Sequence, residues 1–148
     1  MKKLTIRKMR EDDTAALSEL LADPRVMKYL EPPFSEEKAR QFLVSAGLSD
    51  PPLIWAAEDE DGFIGYVIDH DYDESSREIG WVLKQEVWGR GYAKELTRQL
   101  IARAEREGKD VILECDPEQS ATKHIAEAAG FVYEVRRCGC EVYRRKAT

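Results

Sequence analysis

Cysteine is scarce in this chain. Cys115, Cys138 and Cys140 are the only three in 148 residues, too few for a disulfide framework and odd in number. Reduced thiols are expected, and with them a cytoplasmic protein. Histidine is scarcer still, with His70 and His124 alone. Cys138-Gly139-Cys140 therefore reads as small residues near a strand turn, and no metal site is expected. No apolar run approaches the ~20 residues that a bilayer crossing needs. The opening Met1-Lys2-Lys3-Leu4-Thr5-Ile6-Arg7 holds no signal-peptide apolar segment. An excess of positive charge is missing too. A formal net charge of −6 argues against a general nucleic-acid binder, which must neutralise phosphates. The same charge is compatible with a cationic partner.

What is present suits a globular protein. Hydrophobic residues make up 43% and charged residues 35%, a balance that builds a core and does not favour disorder. The length fits one domain, 1–148.

Leu4 to Arg7 alternate apolar and polar, which predicts a first strand. An Asp in Arg10-Glu11-Asp12-Asp13 is placed to cap a helix carrying Leu17, Leu20 and Leu21, which Pro24 stops. Residues 25–34 are irregular, and Tyr29 and Phe34 there either pack down or wall a binding site. Ser35 reads as the cap of a second helix with Ala39, Phe42, Leu43 and Ala46 on one face. Strands over 53–58, 63–69 and 77–84 should form an antiparallel meander, with Asp61-Gly62 as a turn and 70–76 as a polar loop. His70 falls in that loop, where a surface histidine is the expectation. A helix with Ala93, Leu96, Thr97, Leu100, Ile101 and Ala104 on one face and Gly108 as its C-terminal cap, a buried strand over 111–115, a helix over 120–129 and a hairpin around Cys138-Gly139-Cys140 complete the chain. The strand at 111–115 follows a crossover helix, so it should pair in parallel. The sum is an α/β (α+β) fold with one mixed sheet of about seven strands and about four helices.

The distinctive stretch is Leu83-Lys84-Gln85-Glu86-Val87-Trp88-Gly89-Arg90-Gly91-Tyr92-Ala93-Lys94. A strand leads in and an amphipathic helix leads out, with two glycines between. Such a turn presents backbone N–H groups and the positive end of a helix dipole to an anion. On these residues alone it fits an ordinary tight turn as well as a phosphate cradle. The dinucleotide pattern G-x-G-x-x-G fails at Lys94, and no G-K-[ST] follows.

The wider pattern Glu78-Ile79-Gly80-Trp81-Val82-Leu83, then Trp88-Gly89-Arg90-Gly91-Tyr92-Ala93, resembles the acetyl-CoA motif of the GNAT N-acetyltransferases. It is most similar to the branch containing the ribosomal-protein N-terminal acetyltransferases. Trp88 stands where that motif has Gln or Arg, Gly91 at its glycine and Ala93 at its small residue. Gln119-Ser120-Ala121-Thr122 and Gly130-Phe131 resemble a second family segment, with Gln119 in place of Asn and Thr122 in place of Ser. The predicted element order matches the family over almost the whole chain.

The resemblance implies acetyl-CoA as cosubstrate and acetyl transfer to an amine by direct attack. The acceptor would be a protein N-terminus or a small molecule. The turn from Trp88 and Gly89 through Arg90, Gly91, Tyr92 and Ala93 to Lys94 would hold pyrophosphate. The strand backbone at Val82 and Leu83 would pair with the pantetheine arm. Gln119 and Thr122 would touch the cosubstrate, and Tyr29 and Phe34 would wall the acceptor site. Glu78, on the strand face of Val82, is the first candidate base, ahead of Glu114 and Asp116. Many relatives carry a tyrosine where this chain has Ala126, so Thr122 or a water would protonate the leaving thiolate, or the thiolate would depart without an acid. That missing tyrosine leaves a second reading, a non-catalytic acyl-CoA sensor or interaction module. A third is a protein binding another phosphate ligand at the same turn.

Overall fold

The computed structural model describes residues 3–148; Met1 and Lys2, with which the N-terminal reading opened, lie outside the described residues. Among the described residues, seven strands form one mixed sheet in the order β1-β2-β3-β4-β5-β7-β6. The strands are β1 Thr5–Arg7, β2 Ile54–Asp59, β3 Gly62–Asp73, β4 Ser76–Leu83, β5 Asp110–Cys115, β6 Val132–Arg137 and β7 Cys140–Arg145. The helices are α1 Thr14–Ala22, α2 Glu36–Phe42, α3 Tyr92–Arg106 and α4 Ser120–Ala128. No helix among the described residues is long and apolar enough to cross a membrane. The chain forms two compact units, each taken by itself below.

The first unit comprises the chain up to Ile68 with Trp81–Tyr92. Here β1 pairs antiparallel with β2, Ile6 opposite Ala57, and β2 with the start of β3, Ile54 opposite Ile68. Leu17, Leu21, Leu43, Ile54 and Tyr66 belong to one buried cluster. Ser35 caps α2 as expected, its hydroxyl accepting from Lys38 N at 3.1 Å. The acidic cap proposed for α1 is corrected. Asp13 turns back, accepting from Arg10 N at 2.7 Å and from Arg7 at 2.8 and 2.9 Å. Asp13 does hold the N-cap position of α1, but its side chain closes the short 3-10 turn Glu11–Asp13 and gives α1 no cap bond. The nearby guanidinium outcompetes the free amides of the helix start as a partner for the carboxylate.

One glycine sets the spacing at the end of β4. Between Ala57↔Gly65 and Glu58↔Phe63, β3 carries an extra residue, Ile64, at a bulge. Gly65 has φ +149°, and a Cβ there would overlap the Val82 carbonyl oxygen and lie 2.8 Å from Leu83 Cα. Both obstacles are backbone and cannot swing aside. Gly65→Ala is therefore expected to cost roughly 2–4 kcal/mol in urea unfolding, from a strained φ plus overlap. An unchanged midpoint would show that this close approach is not required.

The second unit comprises Asp69–Gly80 and the chain from Ala93 on. The predicted loop over 70–76 is corrected: β3 continues to Asp73 and β4 starts at Ser76. Its acidic residues sit in a strand because each has a partner. Asp69, 2% exposed, is bound by Arg77 at 2.8 Å and by Arg103 at 3.2 Å. Asp71 is held by Arg77 at 3.0 Å and Lys109 at 2.9 Å. Asp73 accepts from Ser75 N and Ser76 Oγ and so makes the turn. After α3, Gly108 takes φ +68° and reverses the chain. β5 then pairs in parallel with β4, as the crossover requires. Cys138 and Gly139 take φ +52° and +82°, a two-residue hairpin turn of the type that needs both positive. Cys138 and Cys140 are free thiols there, and Cys115 is a buried one. Tyr133 is 49% exposed, with its ring edge-on to buried Tyr143.

Candidate functional site

After β4 the chain makes a 3-10 turn, Gln85–Val87, then the glycine pair. Gly89 and Gly91 have φ +77° and +81°. Two left-handed residues one apart expose successive backbone amides in the concave arrangement that suits an anion. Nothing would obstruct a Cβ on Gly89, so the φ alone explains glycine there. The flanking side chains act as struts. The Trp88 indole is 48% exposed, and its Nε1 donates to Leu83 O at 2.9 Å. Tyr92 is buried, and its hydroxyl donates to Asp59 at 3.1 Å. Both side chains thus hold the turn, and what they could offer a ligand is backbone or ring face.

Charge around the turn is unevenly partnered. Lys84, Arg90 and Lys94 make no ion pair among the described residues, and Arg90 and Lys94 are exposed. Glu95, in the first turn of α3, is by contrast held down to about 2 by Arg98 and Gln99, its carboxylate accepting from Arg98 at 2.7 Å. Glu95 is thereby occupied within α3, and the cations are left without a carboxylate partner among the described residues.

The edge of β4 needs one refinement. Lys84 N donates to Ile64 O, and the Val82 carbonyl lies against Gly65. The backbone of Val82 therefore faces β3. Successive strand residues turn their backbone groups to opposite edges, so Trp81 and Leu83 face away from β3. The parallel register of β4 on β5 ends at Ile79↔Leu113, although β4 runs on to Leu83.

In the second unit, Glu78 is the acidic residue whose environment pushes it up and not down. Burial, then the charge of Glu114, push its carboxyl above the usual range, and His70 opposes them. Glu114 lies on β5 two residues beyond Ile112, the partner of Glu78. His70 Nε2 is 3.7 Å from Glu78 Oε1. The expected loop histidine is thus a strand residue facing the candidate base. Sequence reading missed this contact, and the only signal for it was the even spacing of acidic residues through 69–73. Gln119 accepts from Asp116 N at 2.8 Å through its amide oxygen, so that oxygen closes the turn before α4. Thr122 is half-buried on α4. Ala126 is fully buried and offers no proton.

In the first unit, Phe34 is buried against Phe42, edge-on at 6.0 Å, with Lys38 Nζ 4.3 Å above its ring. Phe42 in turn meets Tyr66 at 5.8 Å. Tyr66 was not singled out from the sequence. It is 5% exposed, burial pushes its hydroxyl upward, and that hydroxyl has no partner among the described residues. Tyr29 is half-buried, with Lys28 Nζ 5.1 Å from its ring centre.

Residues 3–132 match the family described as Acetyltransferase (GNAT) domain. The chain belongs to this family. A GNAT protein is an acetyl-CoA-dependent acyltransferase, and this chain is one by membership. It is 31% identical over 135 residues to YnaD of Bacillus subtilis, described as an uncharacterised N-acetyltransferase, covering 88% of this chain and 79% of that one. It is similar to a crystal structure of a GNAT acetyltransferase from Bacillus anthracis, with a TM-score of 0.84 and 26% identity over 97% of this chain and 94% of that one. The fold is also that of RimL, a ribosomal L7/L12 alpha-N-protein acetyltransferase solved in complex with coenzyme A. The TM-score is 0.84 at 17% identity, over 99% of this chain and 96% of that one. The turn fits the cosubstrate on its own chemistry, since it joins two positive-φ glycines to cations without carboxylate partners.

Proposed function

We propose that this GNAT protein acetylates a primary amine, a protein N-terminus or a small amine, with Glu78 as the base. The observation that carries this is the environment of Glu78. Partial burial and the neighbouring Glu114 raise its affinity for a proton, which a group receiving one from an ammonium near neutral pH requires. Acetyl-CoA supplies an acetyl carbon activated as a thioester. The amides of Gly89 to Lys94, with Arg90 and Lys94, hold the pyrophosphate. The β4 edge at Leu83, on the side that Val82 turns away from, aligns the pantetheine arm, and Trp88 covers the turn. Gln119 and Thr122 contact the cosubstrate from the start of α4. Tyr29 and Phe34 wall the acceptor.

Protons balance as follows. The ammonium gives one to Glu78, which frees the nitrogen lone pair. As the C–N bond forms and the C–S bond breaks, the nitrogen loses a second proton. The thiolate gains one, through the Thr122 hydroxyl or a water. RimL acts on a protein N-terminus by its description, and that supports including peptides among the acceptors.

The test is thiol release from acetyl-CoA with three additions: a short peptide bearing a free N-terminus, spermidine, or no amine. Amine-dependent release well above the amine-free rate, with acetylated product detected by mass, is the expected result. Release no faster than background with either amine, by protein that binds acetyl-CoA, would contradict the proposal.

A further inference from the structure

The geometry points to His70 as the positioning residue and proton partner of Glu78, so that the amine's proton is held by the pair and leaves to water through the imidazole. The inference rests on the assignment of Glu78 as base.

The tautomer follows from the contacts. His70 Nδ1 lies 2.9 Å from Asp71 O. A backbone carbonyl can only accept, so Nδ1 carries the hydrogen. In the neutral ring Nε2 is then a bare lone pair, and it faces Glu78 Oε1 at 3.7 Å. A lone pair against a carboxylate oxygen is repulsive. At 3.7 Å the two groups are within ion-pair range but beyond a direct hydrogen bond, and their exposure admits one water between them to carry a proton across.

The neighbouring acids on β3 are already held by cations. Asp69 and Asp71, on either side of His70, are neutralised by Arg77 from β4, Arg103 from α3 and Lys109. From β5, Glu114 faces Glu78 and carries no ion pair among the described residues. From β7, the Cys140 thiol is pushed up, first by burial and then by Glu114, so it stays protonated and adds no charge. Glu78 therefore sits between one carboxylate that discourages its ionisation and one imidazole that supports it. The side chains of His70 and Glu78 are 25% and 22% exposed, so water reaches both.

The chemistry is a single transfer. The ammonium N–H bond breaks and an O–H bond forms at Glu78. That proton passes through one bridging water to His70 Nε2 as the O–H bond breaks, and the imidazole ring releases it to solvent. The base is restored without an oxidant or any further reactant.

The test compares native protein, His70→Gln and Glu78→Gln. Gln keeps a polar group at position 70 but cannot become a cation. The Glu78 side-chain carboxyl is followed by 13C NMR through a pH titration. The acid limb of kcat/KM is measured on the same samples with the better acceptor, peptide or spermidine. Replacing His70 should raise the Glu78 midpoint, since His70 opposes the upward push of burial and Glu114, and should move the acid limb upward equally. A Glu78 midpoint that does not move in His70→Gln would overturn the inference. A midpoint that moves while the acid limb stays in place would also overturn it, leaving the contact structural. Full activity in Glu78→Gln would instead defeat the base assignment beneath it. Well-dispersed spectra of each variant show that it is folded.

Discussion

Glu78→Gln is expected to lower kcat by roughly 10²–10⁴-fold while acetyl-CoA binds about as before. Glutamine has nearly the same shape and keeps an oxygen at the same reach. It cannot take a proton from an ammonium. The side chain is 22% exposed, so the amide has access to water and the fold should tolerate it. The loss should be greatest near neutral pH, where the acceptor is an ammonium, and should shrink at high pH as the free amine accumulates. Calorimetry with acetyl-CoA should return an affinity close to that of the native chain, because the turn proposed to hold pyrophosphate contains no part of Glu78. Loss of affinity together with rate would mean that Glu78 supports binding and not proton transfer. Retention of rate would pass the role of base to Glu114 or to solvent.

Most of the scaffold was legible because local signals and the global fold agree. Ser35 reads as a cap and is one. The crossover helix before Val111 forces parallel pairing, and β5 pairs so. Cys138-Gly139 sits between alternating runs and makes the hairpin. The glycine turn was legible as a pattern, although the positive φ of both glycines is a property of the folded chain.

The site was less legible because its chemistry lies in pairings. The run Asp69-His70-Asp71-Tyr72-Asp73 looks like a solvated loop until Arg77, Arg103 and Lys109 are brought to it from other elements. Only then can it remain a strand and present His70 to Glu78. Strand periodicity placed Glu78 and Val82 on one face. It could not say which sheet edge the Val82 carbonyl takes, because that depends on the bulge at Ile64 and the close approach at Gly65. Tyr66 lies in an apolar run and reads as plain core. Its unpartnered hydroxyl is visible only when its neighbours are known. Asp13 is a similar case, since Arg7 outcompetes helix capping for its carboxylate.

The account turns on where acetyl-CoA binds. Gly91 carries φ +81° immediately before Tyr92, the first residue of α3. A glutamate there would be strained in backbone and would place a carboxylate where the pyrophosphate should lie. Two effects then act together: the amides tilt away from the anion, and like charges meet beside a helix start that otherwise favours negative charge. The measurement is calorimetric titration of CoA-free protein with acetyl-CoA, native and Gly91→Glu, with thermal unfolding of both as a control for folding. Saturable binding by the native chain and at least about a hundredfold loss in the folded variant, roughly 2.7 kcal/mol, is the predicted result. Equal affinities in two folded proteins would contradict the account, because the cosubstrate would then sit somewhere other than the glycine turn.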